Sequence, residues 1–232
     1  MCEMLALQSA KPFELGTAFQ LGLTIEKFGI ARFGWGVSWV QDGVLQNYRS
    51  ELGLGEDVQG RQRLAGESAT SCLIHLRRPS FLSTIAVENS QPYLAEGEFA
   101  FGHNGYLADH VRWREVFAQV VQGQSDSEMG FHLYKQRLVT EAPADAINST
   151  LRDTIGRGEA NVIVLNRDES LVAAGSNERN PMYWFAGADF TGIVTGLHSL
   201  DQYLFTDLLT WVEQRTQIRD AVYLPKMTPV HA

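Results

Sequence analysis

The first seven residues constrain this chain more than any other stretch. They read MCEMLAL, a mostly apolar run that predicts a short strand over residues 1–8. Such a strand holds position 2 in a sheet, whereas a free terminus is usually mobile. If the initiator Met1 is removed, Cys2 carries a thiol and a free α-amine. The α-amine titrates near pH 8 and can accept the thiol proton, so Cys2 is a candidate nucleophile that needs no histidine base.

Composition excludes several classes of protein. The chain has 232 residues, enough for one large domain with a substantial core. Its formal charge is -8 and its basic residues are scattered, which argues against a nucleic-acid partner. The amino-terminal stretch lacks a basic region, and no apolar run approaches the roughly 18 residues that span a bilayer. We therefore expect a cytoplasmic protein without a membrane partner.

The chain offers few residues for metal binding. Two cysteines are too few for a disulfide framework or a cysteine-based zinc site, and the six histidines lack metal-ligand spacing. Cys72 lies in an apolar run and is expected to be a small core residue. We therefore expect neither a metal nor another cofactor.

Apolar periodicity predicts both helices and strands along the chain. Helices are predicted over residues 13–28, 107–121, 145–156 and 200–212, and strands over 34–39, 44–48, 71–77, 98–103, 161–165, 171–174, 182–186 and 192–195. The S-x-x-E pattern of Ser125 to Glu128 predicts a capping box that opens a helix through Leu138. The last stretch is predicted to be an edge strand and a tail. No repeat or linker interrupts the pattern.

One strand carries charged and polar residues on a single face. Within residues 71–77, His75 and Arg77 alternate on the same side as Leu73. An arginine that follows a buried run needs an anionic partner. That partner is either a carboxylate in a rim salt bridge or a bound ligand.

Two further signals each allow a structural and a chemical interpretation. Asn104-Gly105 is ordinarily a turn, but the asparagine amide and the glycine N–H can also donate to one developing negative charge. Asp126 stands in the first turn of a predicted helix, where it either stabilises the helix electrostatically or binds an ammonium group.

The order of these signals resembles the glutaminase domain of class II glutamine amidotransferases, members of the N-terminal nucleophile hydrolase superfamily. The resemblance is carried by Cys2, His75–Arg77, Asn89–Pro92, Gly102–Gly105 and Ser125–Glu128. The opening heptapeptide, the stretch 33–37 and the absence of a fused synthase resemble most the stand-alone branch, which includes the amidohydrolase of ergothioneine biosynthesis.

The resemblance implies a fold and a domain organisation. The fold is α+β, a four-layer αββα sandwich in which two mainly antiparallel sheets pack between helical layers. Residues 1–232 would form a single domain of this type.

The resemblance also implies a role for each site residue. Cys2 would be the nucleophile and its α-amine the general base. Asn104 and the N–H of Gly105 would form the oxyanion hole. Arg77 would bind the substrate α-carboxylate and Asp126 its α-ammonium.

Arg78 follows directly and is an alternative carboxylate binder. We favour Arg77 because it lies on the face of His75 and at the spacing typical of the family. Residues that contact the group beyond the scissile amide are not indicated by the motifs. Trp35, Trp39 and His198 are candidates for this contact. The alternative is that the two tryptophans are core residues and that His198 lies in a surface loop.

Three functions agree with these residues. The first is hydrolysis of the γ-amide of glutamine or of a γ-glutamyl conjugate, so the expected partner is a small molecule. The second is a glutaminase subunit that supplies ammonia to a separate synthase. The third is a non-catalytic member that binds a γ-glutamyl metabolite or a protein, which a retained Met1 would favour. Both a monomer and a homo-oligomer agree with the sequence.

Overall fold

The computed structural model describes residues 2–155, 159–197 and 203–228. Its strands are β1 (Glu3–Glu14), β2 (Trp35–Gln41), β3 (Val44–Ser50), β4 (Ser68–Leu76), β5 (Tyr93–Ala95), β6 (Phe99–Gly105), β7 (Ala160–Asn166), β8 (Leu171–Gly175), β9 (Met182–Ala186), β10 (Thr191–Thr195), β11 (Gln214–Ile218) and β12 (Val222–Leu224). Its α-helices are α1 (Leu15–Phe28), α2 (Val58–Leu64), α3 (His110–Val116), α4 (Asp126–Arg137) and α5 (Pro143–Ile155).

The strands form two antiparallel sheets that pack face to face. The seven-stranded sheet has the order β11-β9-β10-β1-β4-β2-β3, and the five-stranded sheet has the order β12-β8-β7-β6-β5. One core fills the space between the sheets, a second packs the larger sheet against α1, and a third packs the smaller sheet against α4 and α5. The predicted αββα sandwich is therefore confirmed.

The central strand β1 places alternate side chains in two different cores. Met4 and Ala6 lie between the two sheets, whereas Leu5 and Leu7 pack toward α1. Because side chains alternate along a strand, Cys2 lies on the side of Met4, between the sheets. Strand β1 thus directs residue 2 toward the end of the sandwich.

Several predicted elements differ in extent from those observed. Strand β1 continues to Glu14, well beyond the predicted residue 8, because after a register shift beyond Gln8 it pairs with β4 again at Phe13 and Glu14. The predicted helix over 107–121 shortens to α3, and most of its apolar side chains stay exposed. Helix α2 and strand β11 were not predicted at all. Both are short and mostly exposed, so their apolar periodicity is weak.

Of the predicted helix over 200–212, the described residues contain a short π-helix. Residues 204–208 form a single π-helical turn. Residues 198–202 lie outside the described residues, and they include the candidate His198. Strand β12 forms the edge of the smaller sheet, which agrees with the prediction of a late edge strand.

Trp35 and Trp39 are both core residues. Each is buried in the core beneath α1, which confirms the packing interpretation. Trp35 Nε1 donates a hydrogen bond to Asp57 Oδ2 over 3.0 Å, and Tyr48 donates its hydroxyl to the same oxygen over 2.7 Å. The other carboxylate oxygen caps α2 by accepting the N–H of Gly60 over 2.9 Å. One buried carboxylate therefore ties α2 to the sheet.

No helix within the described ranges is long and apolar enough to cross a membrane.

We predict that Asp57→Ala destabilises the fold by roughly 2–4 kcal/mol at neutral pH, because it leaves three donors without their acceptor. Burial raises the pKa of Asp57, but the hydrogen bonds from Tyr48, Gly60 and Trp35 outweigh it and the net shift is downward. The carboxylate therefore contributes stability above its unfolded pKa of about 3.9, and this contribution is lost as the pH falls. Urea unfolding from neutral pH down to about pH 3 measures both effects.

Asp109→Ala is the matched control. Asp109 also stands at a helix N-cap, but its side chain makes no capping hydrogen bond. We expect its free energy of unfolding to stay within about 0.5 kcal/mol of the wild type. Equal effects of the two substitutions would contradict the role assigned to Asp57.

Candidate active site

A cavity of about 290 Å³ opens where β1 begins and where β4 and β6 end. Because β1 and β4 are antiparallel, with Glu3 opposite Leu76, the first residue of one lies beside the end of the other. The cavity is lined by Cys2, Arg77, Arg78, Pro79, Ser80, Phe81, Thr84, Gln91, His103, Gly105, Tyr106, His110, Gln124, Ser125, Asp126 and Ser127. Four of the five predicted site residues are among them.

The backbone and side chain of Cys2 are both held. Its N–H donates to Asn104 Oδ1 over 2.9 Å, and its Sγ accepts the N–H of Arg78 over 3.4 Å. Burial raises the pKa of the Cys2 thiol, so the thiol is the resting form. A reaction at this sulfur therefore needs a nearby base.

Asn104, the fifth predicted residue, lies directly beside Cys2. Its side chain is fully buried, and its oxygen is occupied by the Cys2 N–H. Its Nδ2 has no hydrogen-bond partner among the described residues. A buried amide donor without a partner costs free energy. Such a group is well suited to bind a transient negative charge.

Gly105 continues β6, where the sequence predicted that the strand would break. Its φ is 141°, a conformation that favours glycine, and a Cβ here would collide with the carbonyl oxygen of Glu159. The pairing with Ala160 extends the strand to this residue. The turn interpretation of Asn104-Gly105 is therefore wrong, because both residues belong to a paired strand.

The two adjacent arginines have different surroundings. Arg77 is buried, and its Nη2 donates to Thr84 Oγ1 over 2.9 Å. Arg78 is exposed, although it also lines the cavity. A buried guanidinium in a cavity wall is better placed than an exposed one to bind a carboxylate in a fixed geometry.

Asp126 connects the start of α4 to the chain that follows β6. Its Oδ2 accepts the N–H of Leu107 over 2.8 Å, and the residue also lines the cavity. Asp126 therefore lies at the start of a helix and also beside a cavity. This position allows it either to stabilise the helix or to bind a ligand.

The cap of α4 differs in part from the predicted capping box. Ser125 is the N-cap, as expected, but its hydroxyl accepts the N–H of Ser127 and not that of Glu128, which a capping box requires. The Glu128 carboxylate does not return to Ser125 but accepts the N–H groups of Gln122 and Gly123, over 2.7 and 2.9 Å. The Ser125 N–H instead donates to Asn89 Oδ1. The Glu128 carboxylate therefore binds the preceding loop and does not cap the helix. The local sequence pattern does not predict this contact.

Two buried histidines lie at the cavity, His103 in its lining and His75 next to His103. His75 donates from Nε2 to the carbonyl oxygen of His103 over 3.0 Å, and His103 Nδ1 shares a hydrogen bond of 2.8 Å with Ser127 Oγ. Burial lowers the pKa of His75 to about 3 and also lowers that of His103. Both rings are therefore neutral at physiological pH, and they pack the strands that carry the site.

Two polar residues that hold the start of β1 were missed by sequence reasoning. Asn180 Nδ2 donates to the carbonyl oxygen of Cys2 over 3.3 Å, and Thr195 Oγ1 accepts the N–H of Met4 over 2.9 Å. Neither residue belongs to a motif. Their partners lie at the opposite end of the sequence, so no local signal marks them.

No group of three or more histidine, cysteine or acidic side chains within the part of the chain that the structure describes could hold a metal ion.

Comparison with solved structures finds the same fold. Glutamine phosphoribosylpyrophosphate amidotransferase from B. subtilis, in complex with ADP and GMP, superimposes with a TM-score of 0.74 at 17% identity, covering 97% of this chain and 47% of that one. The structure of the allosteric regulatory enzyme of purine biosynthesis superimposes with a TM-score of 0.73 at 17% identity, covering 97% of this chain and 47% of that one. This chain thus spans about half the length of both.

A third structure is similar along its whole length. It is a glutamine aminotransferase class-II domain protein from Silicibacter pomeroyi, with a TM-score of 0.62, 16% identity and coverage of 97% of this chain and 100% of that one. No family model matches the sequence. No curated protein matches it either. The resemblance to class II glutamine amidotransferases is therefore confirmed at the level of the fold.

We predict that Gly105→Ala costs about 3–5 kcal/mol, because it adds an unfavourable φ to a collision with backbone. Gly43→Ala is the matched control. Gly43 also has a positive φ, of 74°, but a Cβ there would meet no atom within 4 Å. We expect the control to cost only about 1 kcal/mol. Chemical unfolding compares the two, and similar losses would contradict the close approach at Gly105.

Proposed function

We propose that this chain is a hydrolase that cleaves the γ-amide of glutamine or of a γ-glutamyl conjugate through a thioester on Cys2. One observation carries the proposal: Cys2, Arg77, Gly105 and Asp126, from four separate stretches of the sequence, line one cavity. Asn104, which precedes Gly105, hydrogen-bonds Cys2 next to this cavity. Their chemistry matches the parts of one substrate, an amino-acid head group and a side-chain amide.

The head group would be bound by a pair of opposite charges. The planar fork of Arg77 suits the α-carboxylate, and the carboxylate of Asp126 suits the α-ammonium. Because Arg77 is held by Thr84 and Asp126 by the Leu107 N–H, both groups are fixed before substrate arrives. Such preorganisation places the substrate amide against the sulfur.

The first chemical step uses the terminus of the chain. After loss of Met1, the α-amine of Cys2 takes the thiol proton, and the thiolate forms a bond to the amide carbon. The amide oxygen becomes an oxyanion, which Asn104 Nδ2 and the Gly105 N–H stabilise. One such donor typically supplies about 2.7–4 kcal/mol.

The remaining steps return the enzyme to its starting state. The carbon–nitrogen bond breaks, the α-ammonium gives its proton to the departing amine, and a γ-glutamyl thioester remains. Water, deprotonated by the α-amine, then attacks the thioester. Glutamate leaves and the thiol regains its proton.

We extend the proposal to the stand-alone branch of the family, as a cytoplasmic enzyme similar to the amidohydrolase of ergothioneine biosynthesis. The class-II domain structure that is matched over 100% of its length supports an independent domain. A second candidate is a subunit that passes ammonia to a separate synthase. It is supported by the match to 47% of two larger neighbours, in which a domain of this fold is one part of a longer chain.

Alkylation followed by intact mass spectrometry tests the proposal. A diazoketone analogue of glutamine should add one equivalent to protein that lacks Met1, and Cys2→Ala should abolish both the adduct and glutamate release. Cys72→Ala is the matched control, since Cys72 is buried in the core far from the cavity. It should keep the adduct. Glutamate release by Cys2→Ala, or a retained Met1 in active protein, would refute the mechanism.

Asn104→Asp tests the oxyanion hole separately. It keeps an oxygen to accept the Cys2 N–H but replaces the Nδ2 donor. We expect kcat to fall about 10²–10³-fold with the protein still folded. Stopped-time glutamate assays measure kcat. A fall in kcat of less than tenfold would contradict the assignment of Asn104 to the oxyanion hole.

The two candidate functions separate in a partner assay. The stand-alone hydrolase is fully active on a γ-glutamyl amide as the isolated chain. The synthase subunit shows low glutaminase activity until a captured partner is added. Stimulation of more than about tenfold by such a partner would favour the second candidate.

A further inference from the structure

The same cavity presents two aromatic side chains that a glutamine substrate does not need. Phe81 and Tyr106 both line it, and they are 71% and 52% exposed. The leaving group of glutamine is ammonia, which has no apolar surface to cover them. Large aromatic side chains at the wall of a ligand cavity usually contact apolar parts of the ligand.

Phe81 is tied to the residue proposed to bind the head group. Thr84 donates from its hydroxyl and its N–H to the carbonyl oxygen of Phe81, over 2.7 and 3.0 Å. The same hydroxyl accepts the hydrogen bond from Arg77 Nη2 over 2.9 Å. The position of Phe81 relative to Arg77 is therefore fixed through a single side chain.

Tyr106 is fixed from both sides. The preceding residue is Gly105, and the Tyr106 N–H donates to the Glu159 carbonyl oxygen over 3.0 Å. The N–H of Leu107, directly after it, donates to Asp126. Its ring packs edge-to-face on His110, with centroids 5.6 Å apart. Tyr106 thus stands between the proposed oxyanion hole and the proposed ammonium binder.

We infer that the amine released by this enzyme carries an aromatic or similarly flat apolar group, which contacts Phe81 and Tyr106. The inference rests on the proposed function, because it concerns the group on the far side of the scissile amide. Arg77 and Asp126 select the γ-glutamyl half, and the two rings select the other half. Free glutamine is then a poor substrate.

Three amides with matched chemistry test this inference. Glutamine, γ-glutamylmethylamide and γ-glutamylbenzylamide share the γ-glutamyl half, and the last two both release an alkylamine. We expect kcat/KM for the benzylamide to exceed that for the methylamide at least about tenfold, from burial of the ring against two aromatic side chains. Glutamate release measures all three.

Substitutions identify the residues that cause the preference. Phe81→Ala and Tyr106→Ala should each lower kcat/KM for the benzylamide about five- to tenfold and leave the methylamide within about twofold. Tyr223→Ala is the matched control, since Tyr223 is 50% exposed on β12 and is not part of this cavity. It should change neither value. The rate of Cys2 alkylation confirms that each variant keeps its site.

The outcomes separate the two claims. If the wild type cleaves all three amides about equally, or if the two substitutions change both amides alike, the inference is wrong and the proposed hydrolase stands. If no amide is cleaved by protein that lacks Met1, the proposed function fails and the inference fails with it.

Discussion

The hydrogen bonding of β1 along both of its edges is the constraint on which the rest of the structure depends. From Leu5 to Gln8 the strand pairs with β4 on one side and with β10 on the other, which fixes its register next to residue 2. A slip by one residue would turn Cys2 toward the helical layer and bring Glu3 into the space between the sheets. Glu3 is itself held by the N–H groups of Ile30 and Ala31, which opposes such a slip.

Three of the buried polar atoms that lack a partner lie at or next to the cavity that this register creates. Asn104 Nδ2, His103 Nε2 and His75 Nδ1 have no partner among the residues described. Each costs free energy in the folded state, and the three surrounding apolar cores offset that cost. Groups that lower the stability of the fold but serve binding or catalysis are typical of a functional site. The burial that raises the Cys2 pKa belongs to the same pattern.

The sequence indicated the parts of the site that lie in local patterns. Cys2 could be placed because an apolar run predicts the strand beside it, Arg77 because it shares a strand face with His75, and Asp126 because a serine cap marks its helix. Their roles came from the resemblance to the family. Asn180 could not be placed, because asparagine is common in turns and does not mark a site. Its contact with Cys2 depends on the tertiary structure. Helix α2 was missed for a similar reason, since its cap, Asp57, is fixed by side chains from two strands. The continuation of β6 to Gly105 was missed because it depends on pairing with β7, which lies far ahead in the chain.

The pairing of β1 with β10 also sets an order of events in time. Leu5 pairs with Val194, so β1 meets one of its two neighbours only after the chain as far as β10 has been synthesised. At about 5–20 residues per second, this delay is on the order of 10–40 seconds. Closing so long a loop is slow in any case, because its entropy is lost before the contacts form. Cys2 therefore stays outside its cavity while the chain up to β10 is being made, and it is enclosed only when the sandwich closes.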